Sequence, residues 1–184
     1  MTNLLIITYY WPPAGGPGVQ RILKFVKYLP EFGIKPYVLT VKNGDFPAID
    51  ETLVNEIPKD IIIKKVKGWE PYNLFRFLTG REKDEKIPIG ILIQENPSFI
   101  KKIFNWIRLN LFIPDGRLFL VIPFIRTARK MIRDYDIDCI ISTGPPHSMH
   151  LPALRIKKKT GIRWIADFRD PWTQIYYYDS QPKN

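Results

Sequence analysis

Short apolar runs alternate along this chain with stretches whose apolar residues recur at helical spacing. Leu4-Leu5-Ile6-Ile7 is an unbroken apolar run, the pattern of a short strand buried on both faces. A Pro/Gly loop follows from Trp11 to Gly18. Val19, Ile22, Leu23, Phe25, Val26 and Leu29 then recur at helical spacing, and Gly33 supplies a C-terminal stop. Tyr37-Val38-Leu39 reads as a second strand and Ile61-Ile62-Ile63 as a third. From Gly68 to Pro97 no period stands out, and Arg81 to Lys86 is a run of charges suited to an exposed loop. Ser98 can cap a helix reaching Phe112. A further helix is expected from Leu120 to Asp134, with Pro123 in its first turn. Ile137 to Ile141 reads as a fourth strand, Thr143 to His147 as a second Pro/Gly loop, His150 to Lys159 as a helix stopped by Gly161, and Arg163 to Ala166 as a fifth strand.

Alternating strands and helices predict an α/β fold, a Rossmann-like parallel sheet with helices on both faces. Ligands of such sheets bind beyond the carboxyl ends of the strands, where the strand order reverses. In the commonest arrangement that switch lies between the first and fourth strands. The two Pro/Gly loops follow those two strands.

The first loop, Tyr9-Tyr10-Trp11-Pro12-Pro13-Ala14-Gly15-Gly16-Pro17-Gly18, leads into Val19-Gln20-Arg21. Its glycines permit positive φ and close approach of backbone to a ligand, and the next helix points its free N–H groups into the same space. That chemistry suits a phosphate or pyrophosphate; the alternative is a tight turn that only connects strand to helix. Gly16-Pro17-Gly18-Val19-Gln20-Arg21 has Arg where a dinucleotide fingerprint needs its third small residue, and no acid follows the second strand. The P-loop pattern is absent too. The second loop places His147 beside a helix start that Ser148 can cap, where it could donate to a sugar hydroxyl or phosphate oxygen near neutral pH. His150, one turn on, is expected to support it, and a purely structural His147 is the alternative. At the end of the fifth strand, Asp167 and Asp170 flank Arg169. They either form an internal ion-pair cluster or present a carboxylate to sugar hydroxyls. The two histidines lack carboxylate or thiol partners at ligand spacing, so no metal is expected.

Composition narrows the classes. With 184 residues, 45% hydrophobic and 14% aromatic, the chain has material for one packed domain and is not disordered. Its single cysteine, Cys139, lies in an apolar run and is expected to be a buried thiol. No leader and no apolar run near the ~20 residues of a membrane span is seen, so a cytoplasmic location is expected. Lys and Arg number 28 against 18 acids, a net charge of +10, which favours polyanionic partners without choosing among them.

Tyr9-Tyr10-Trp11-Pro12-Pro13 with Gly15-Gly16 resembles the first-strand glycine loop of glycosyltransferase family 4. Ser142-Thr143-Gly144-Pro145-Pro146-His147-Ser148, Ala166-Asp167-Phe168-Arg169-Asp170-Pro171-Trp172 and Ile113-Pro114-Asp115-Gly116-Arg117 resemble a bacterial branch tied to surface-polysaccharide assembly. The resemblance implies the N-terminal half of a GT-B fold: an acceptor-side domain over residues 1–172, and a tail, 173–184, leading toward a nucleotide-sugar domain. It implies a retaining, metal-independent hexosyltransferase that needs no cofactor beyond its nucleotide-sugar donor, with a saccharide or lipid-linked saccharide as acceptor. Carried onto this sequence, Asp167 and His147 take catalytic roles, and Gly15, Gly16, Gly18 and Arg21 face the donor diphosphate or sugar. Tyr10, Trp11, Ser148, Arg169 and Asp170 face the acceptor. Many members have His where Asp167 stands, and the family's Glu-x7-Glu motif has no counterpart here, so this chain alone is expected to be inactive.

The helix from Ser98 sets Lys101, Lys102, Asn105 and Arg108 near one face of an otherwise apolar surface. It reads either as a core helix with a basic edge or as a peripheral contact with an anionic membrane at its inner face. The rival reading is a non-catalytic module that binds a sugar-lipid or a polyanion. No nucleic-acid partner is expected, because no motif accompanies the charge.

Overall fold

The computed structural model describes residues 1–67 and 113–171. Five strands form one parallel sheet: β1 (Thr2–Ile7), β2 (Ile34–Val41), β3 (Ile62–Val66), β4 (Cys139–Gly144) and β5 (Arg163–Phe168). Their order is β3-β2-β1-β4-β5. The chain therefore works outward from β1 to one edge, then returns to pair β4 on β1's other side, and the switch lies between β1 and β4 as expected. The register sets Ile7 opposite Leu39 on one side and Ser142 on the other. Pro36, which cannot donate to a ladder, lies opposite Leu4 where β3 has not yet joined β2.

Helix α1 (Pro17–Tyr28) covers one face, and α2 (Val121–Asp134) and α3 (His150–Thr160) cover the other. The alternating side chains of β1 serve both layers. Leu4 and Ile6 meet Val19, Ile22, Leu23 and Val26 of α1, while Leu5 and Ile7 belong to the core of Phe124, Ala128, Met131, Ala153 and Ile156. Burying an aliphatic side chain contributes ~1.5–3 kcal/mol. Four such residues on α1 far outweigh the ~1 kcal/mol that Gly18 costs within the helix, so tertiary packing holds α1 in place. A short 3-10 turn, Leu29–Phe32, extends it to Gly33 at φ 71°.

The strand positions differ from the sequence reading in instructive ways. β4 begins two residues later than Ile137, whose N–H is bonded to the Ile132 carbonyl at 3.2 Å in the turn leaving α2. It then runs on through Ser142, Thr143 and Gly144, small polar residues with no apolar signature. β3 reaches Val66 through Lys64 and Lys65, which are exposed on an edge strand. β5 also runs two residues further than Ala166 and carries Asp167 within its ladder, opposite Thr143. Cys139 is half-buried rather than buried, and its thiol is pushed up by desolvation. The expected helix from Ser98 to Phe112, the charge run 81–86 and the tail 173–184 lie outside the described residues. Among the described residues, no helix is long and apolar enough to cross a membrane.

Candidate functional site

Both Pro/Gly loops lie at the carboxyl edge of the sheet, where β1, β4 and β5 end side by side. In the first loop Gly16 stands just before α1 at φ 106° and ψ 167°, a region open essentially to glycine alone. A side chain added there would meet nothing within 4 Å. Its carbonyl accepts from the N–H groups of Val19 and Gln20 at 3.1 and 3.2 Å. Gly15 is tied down instead, its N–H donating to the Ala48 carbonyl at 2.9 Å. Gly18 faces Arg169: a Cβ on it would fall 1.3 Å from a guanidinium nitrogen. Arg169 thus reaches across from the end of β5 and rests on the first turn of α1, 3.6 Å from the half-exposed Asp170. Trp11 is 2% exposed and packs in the α1-side core, beneath the loop.

Arg21, one turn into α1, makes a two-pronged ion pair with Asp167 at 2.6 and 3.0 Å. Thr143 Oγ1 donates to the same carboxylate at 2.8 Å. Burial alone would raise Asp167, but the hydrogen bonds from Arg21 and Thr143 and the guanidinium charges outweigh it and hold the carboxyl below its usual range. The cluster joins α1, β4 and β5. Of the two readings of the Asp167-Arg169-Asp170 triplet, an ion-paired arrangement is present, with Arg21 as Asp167's partner. Arg21, expected to face the donor, and Asp167, expected to touch the sugar, are thus bonded to each other, with side chains 39% and 20% exposed.

In the second loop, His147 and His150 are 7% and 5% exposed, and both rings lie against Phe168, at 5.9 and 4.2 Å between centroids. His150 Nδ1 lies 2.8 Å from Ser142 Oγ, which also accepts from Trp164 Nε1 at 2.8 Å. The serine oxygen can accept twice and donate once, so it serves both partners, and the direction of its bond with His150 follows the imidazole tautomer. Burial lowers both histidines, and the neighbouring His147 helps bring His150 to about 4. Both shifts favour the neutral imidazole. Ser148 does not cap α3 with its side chain, which is fully buried. Its backbone N–H is instead taken by Asp115 Oδ2 at 2.8 Å.

Asp115 is the residue whose role the sequence reading missed. Its other oxygen accepts from the Arg117 N–H at 2.9 Å, so one carboxylate closes its own turn and holds the second loop. The Asp115-Gly116 pair, a turn signal, was the available clue. Arg117 lies over the Tyr9 ring at 4.9 Å and 3.9 Å from Asp45. Tyr10 is half-buried beside Tyr9 and Phe46, at 5.0 and 6.2 Å between ring centroids. Burial raises its hydroxyl against the opposing charge of Arg117. Tyr10, Phe46, Arg117 and Arg169 thus gather aromatic faces and cations at one edge. A cavity of about 270 Å³ lies elsewhere, lined by Lys64, Thr127, Lys130, Met131 and Asp134, and holds none of these groups. No cluster of metal-ligating side chains occurs among the described residues.

No family model and no curated protein matches this chain. Among solved structures, the C-terminal domain of a hydrogenase from Pyrococcus furiosus is similar in two crystal structures, at 14% identity, TM-scores of 0.45 and 0.46, and 90% and 91% coverage of both chains. A glycosyltransferase from Rickettsia africae is similar at 17% identity and a TM-score of 0.45, over 97% of this chain and 34% of that one. This chain thus spans about a third of that enzyme's length. None of these likenesses bears on activity, and the strand order by itself identifies the chain as an open, Rossmann-like α/β sheet with its loops gathered at the β1/β4 switch.

Proposed function

We propose that this chain is the acceptor-side domain of a glycosyltransferase of the GT-B kind, transferring a sugar from a nucleotide-sugar donor to a saccharide or lipid-linked saccharide. The observation that carries the reading is the start of α1. Gly16 leaves its surroundings open, α1 has no acidic residue in its first turn, and the Arg169 guanidinium rests on Gly18. A helix N-terminus and a guanidinium together suit a diphosphate. Tyr10 and Phe46, with Arg117 beyond them, offer an apolar face and polar donors of the sort a sugar ring takes. Retention, metal independence and the polysaccharide context come with the sequence resemblance. Asp167 fits a positioning role better than direct contact with the sugar, since Arg21 and Thr143 already hold it.

Stabilising a departing nucleotide diphosphate takes preorganised donors, and this site contributes Arg169 and the start of α1 at Gly18 from one side. The test is to add a uridine or guanosine diphosphate sugar to isotopically labelled full chain and follow its amide resonances. Gly16, Gly18 and Val19 are expected to shift together, and an Arg169→Ala chain to shift far less. Unmoved resonances at millimolar ligand in a folded protein would remove the diphosphate from this loop, and with it the observation that carries the transferase reading.

A further inference from the structure

The two helices on the sheet face away from α1 carry charge that the site does not use. On α2 the buried residues are Val121, Phe124, Ala128 and Met131. The opposite line of the same helix, read at helical spacing, is Ile122, Arg126, Arg129 and Arg133, all exposed. α3 packs beside α2 and adds exposed Arg155 and Lys158. Asp134 is the only carboxylate on either helix. Arg126 to Arg133 spans about 10 Å along the axis, dense enough to act as a single cationic strip. Its upper end, toward the carboxyl edge of the sheet, is apolar: Ile122 is 54% exposed and Phe119, one turn before it, 45%.

We propose that this α2–α3 face is a docking surface for an anionic membrane. The strip meets lipid phosphates and carboxylates, while Ile122 and Phe119 enter the interface beside it. A nucleic-acid duplex would match the arginines equally well, but it offers nothing to exposed aliphatic and aromatic side chains in line with them. The face is distinct from the helix at residues 98–112, to which the sequence alone pointed. It also puts the carboxyl edge, with its candidate site, next to the lipid surface.

Co-sedimentation of the full chain with vesicles tests this directly, using phosphatidylcholine alone or with a third of phosphatidylserine. Binding is expected only to the anionic vesicles and should weaken with salt. Replacing Arg126, Arg129 and Arg133 together by Gln should lower the partition coefficient about a hundredfold, from the loss of three surface cations. The corresponding triple Lys variant should bind as the parent does. Ile122→Ser should reduce whatever binding survives at high salt. Equal binding to both vesicle types, or a Gln triple variant that sediments like the parent, would overturn the proposal. Arginine-dependent binding of duplex DNA without vesicle binding would overturn it too, and would assign the face to nucleic acid. Sedimentation does not read the Gly16–Gly18 loop, so this surface and the diphosphate site fail or survive separately.

Discussion

α1 and α3 both begin at the carboxyl edge of the sheet, on either side of the β1/β4 switch. The start of α3 is occupied. Asp115 takes the Ser148 N–H, two histidines lie against Gly144 with Phe168 on their rings, and the preceding residues are buried. The start of α1 differs: Gly16 has no neighbour where a Cβ would stand, and the side chain against Gly18 is a guanidinium. A helix N-terminus favours an anion by ~0.3–1 kcal/mol and disfavours a cation similarly. α3 has been given its anion by the chain itself, whereas α1 carries Arg169, which makes sense where an anionic ligand joins the two. Of the two Pro/Gly loops, only the first is left open at a glycine before its helix.

The closed state of the second loop should be lost most completely by acid. His150 is held at about 4 in the folded chain against an ordinary value near 6.5. Between those limits the unfolded chain binds the extra proton, so stability falls as pH drops from 6.5 toward 4. The expected loss is about 3 kcal/mol. His147, also lowered, acts in the same direction. Asp167, held below its usual range, keeps its contribution through this window and loses it only at lower pH. Denaturation midpoints measured across pH 4–7 should slope in the parent and flatten in a His150→Gln chain. Equal slopes would mean that the second loop is not closed over this imidazole.

Removing the built-in anion is the next largest change. Asp115→Ala leaves the Ser148 and Arg117 N–H groups without their acceptor, and hydrogen bonds to a charged group are worth ~1.5–3 kcal/mol. A loss near 2 kcal/mol would lower the melting temperature by about 6 °C in a chain of this size. Asp115→Asn, which keeps one acceptor oxygen, should lose less than half of that. A melting temperature unchanged in the alanine chain would erase the contrast between the two helix starts.

The sheet, its parallel direction and the position of both loops were legible because apolar runs and helical spacing report burial directly. β4 and β5 were read short because Ser142, Thr143, Gly144 and Asp167 are polar residues that continue a strand into the site, where pattern no longer signals burial. The Arg21–Asp167 pair was out of reach for another reason. It joins residues 146 positions apart, and no local rule says which charge meets which. Asp115 was visible as a turn residue, but its bond to Ser148 depends on the two loops folding side by side.

Gly16→Val tests the open loop itself. At φ 106° and ψ 167° a β-branched residue costs about 1–3 kcal/mol in backbone strain, although nothing blocks its side chain. Partial loss of stability is thus expected along with loss of diphosphate binding. The conformational cost acts on folding and the lost approach acts on the ligand, so Gly16→Ala should bind less poorly than Gly16→Val at similar stability. Equal binding by both would place the ligand away from Gly16.

Arg169→Ala is expected to have the smallest effect on stability and is the most informative about what the first loop is for. The substitution removes a cation from the start of α1, a gain of ~0.3–1 kcal/mol. It also removes a 3.6 Å pair with a half-exposed carboxylate, and such surface pairs contribute ~0–1 kcal/mol. The two effects nearly cancel, so the melting temperature should stay level or rise by a degree or two. Diphosphate binding should instead weaken about tenfold, the equivalent of one charge-assisted hydrogen bond. Opposite responses of stability and affinity are what a ligand-directed arginine gives. If the melting temperature falls by several degrees while affinity is unchanged, Arg169 braces β5 against α1, and the first loop is furnished for packing as the second one is.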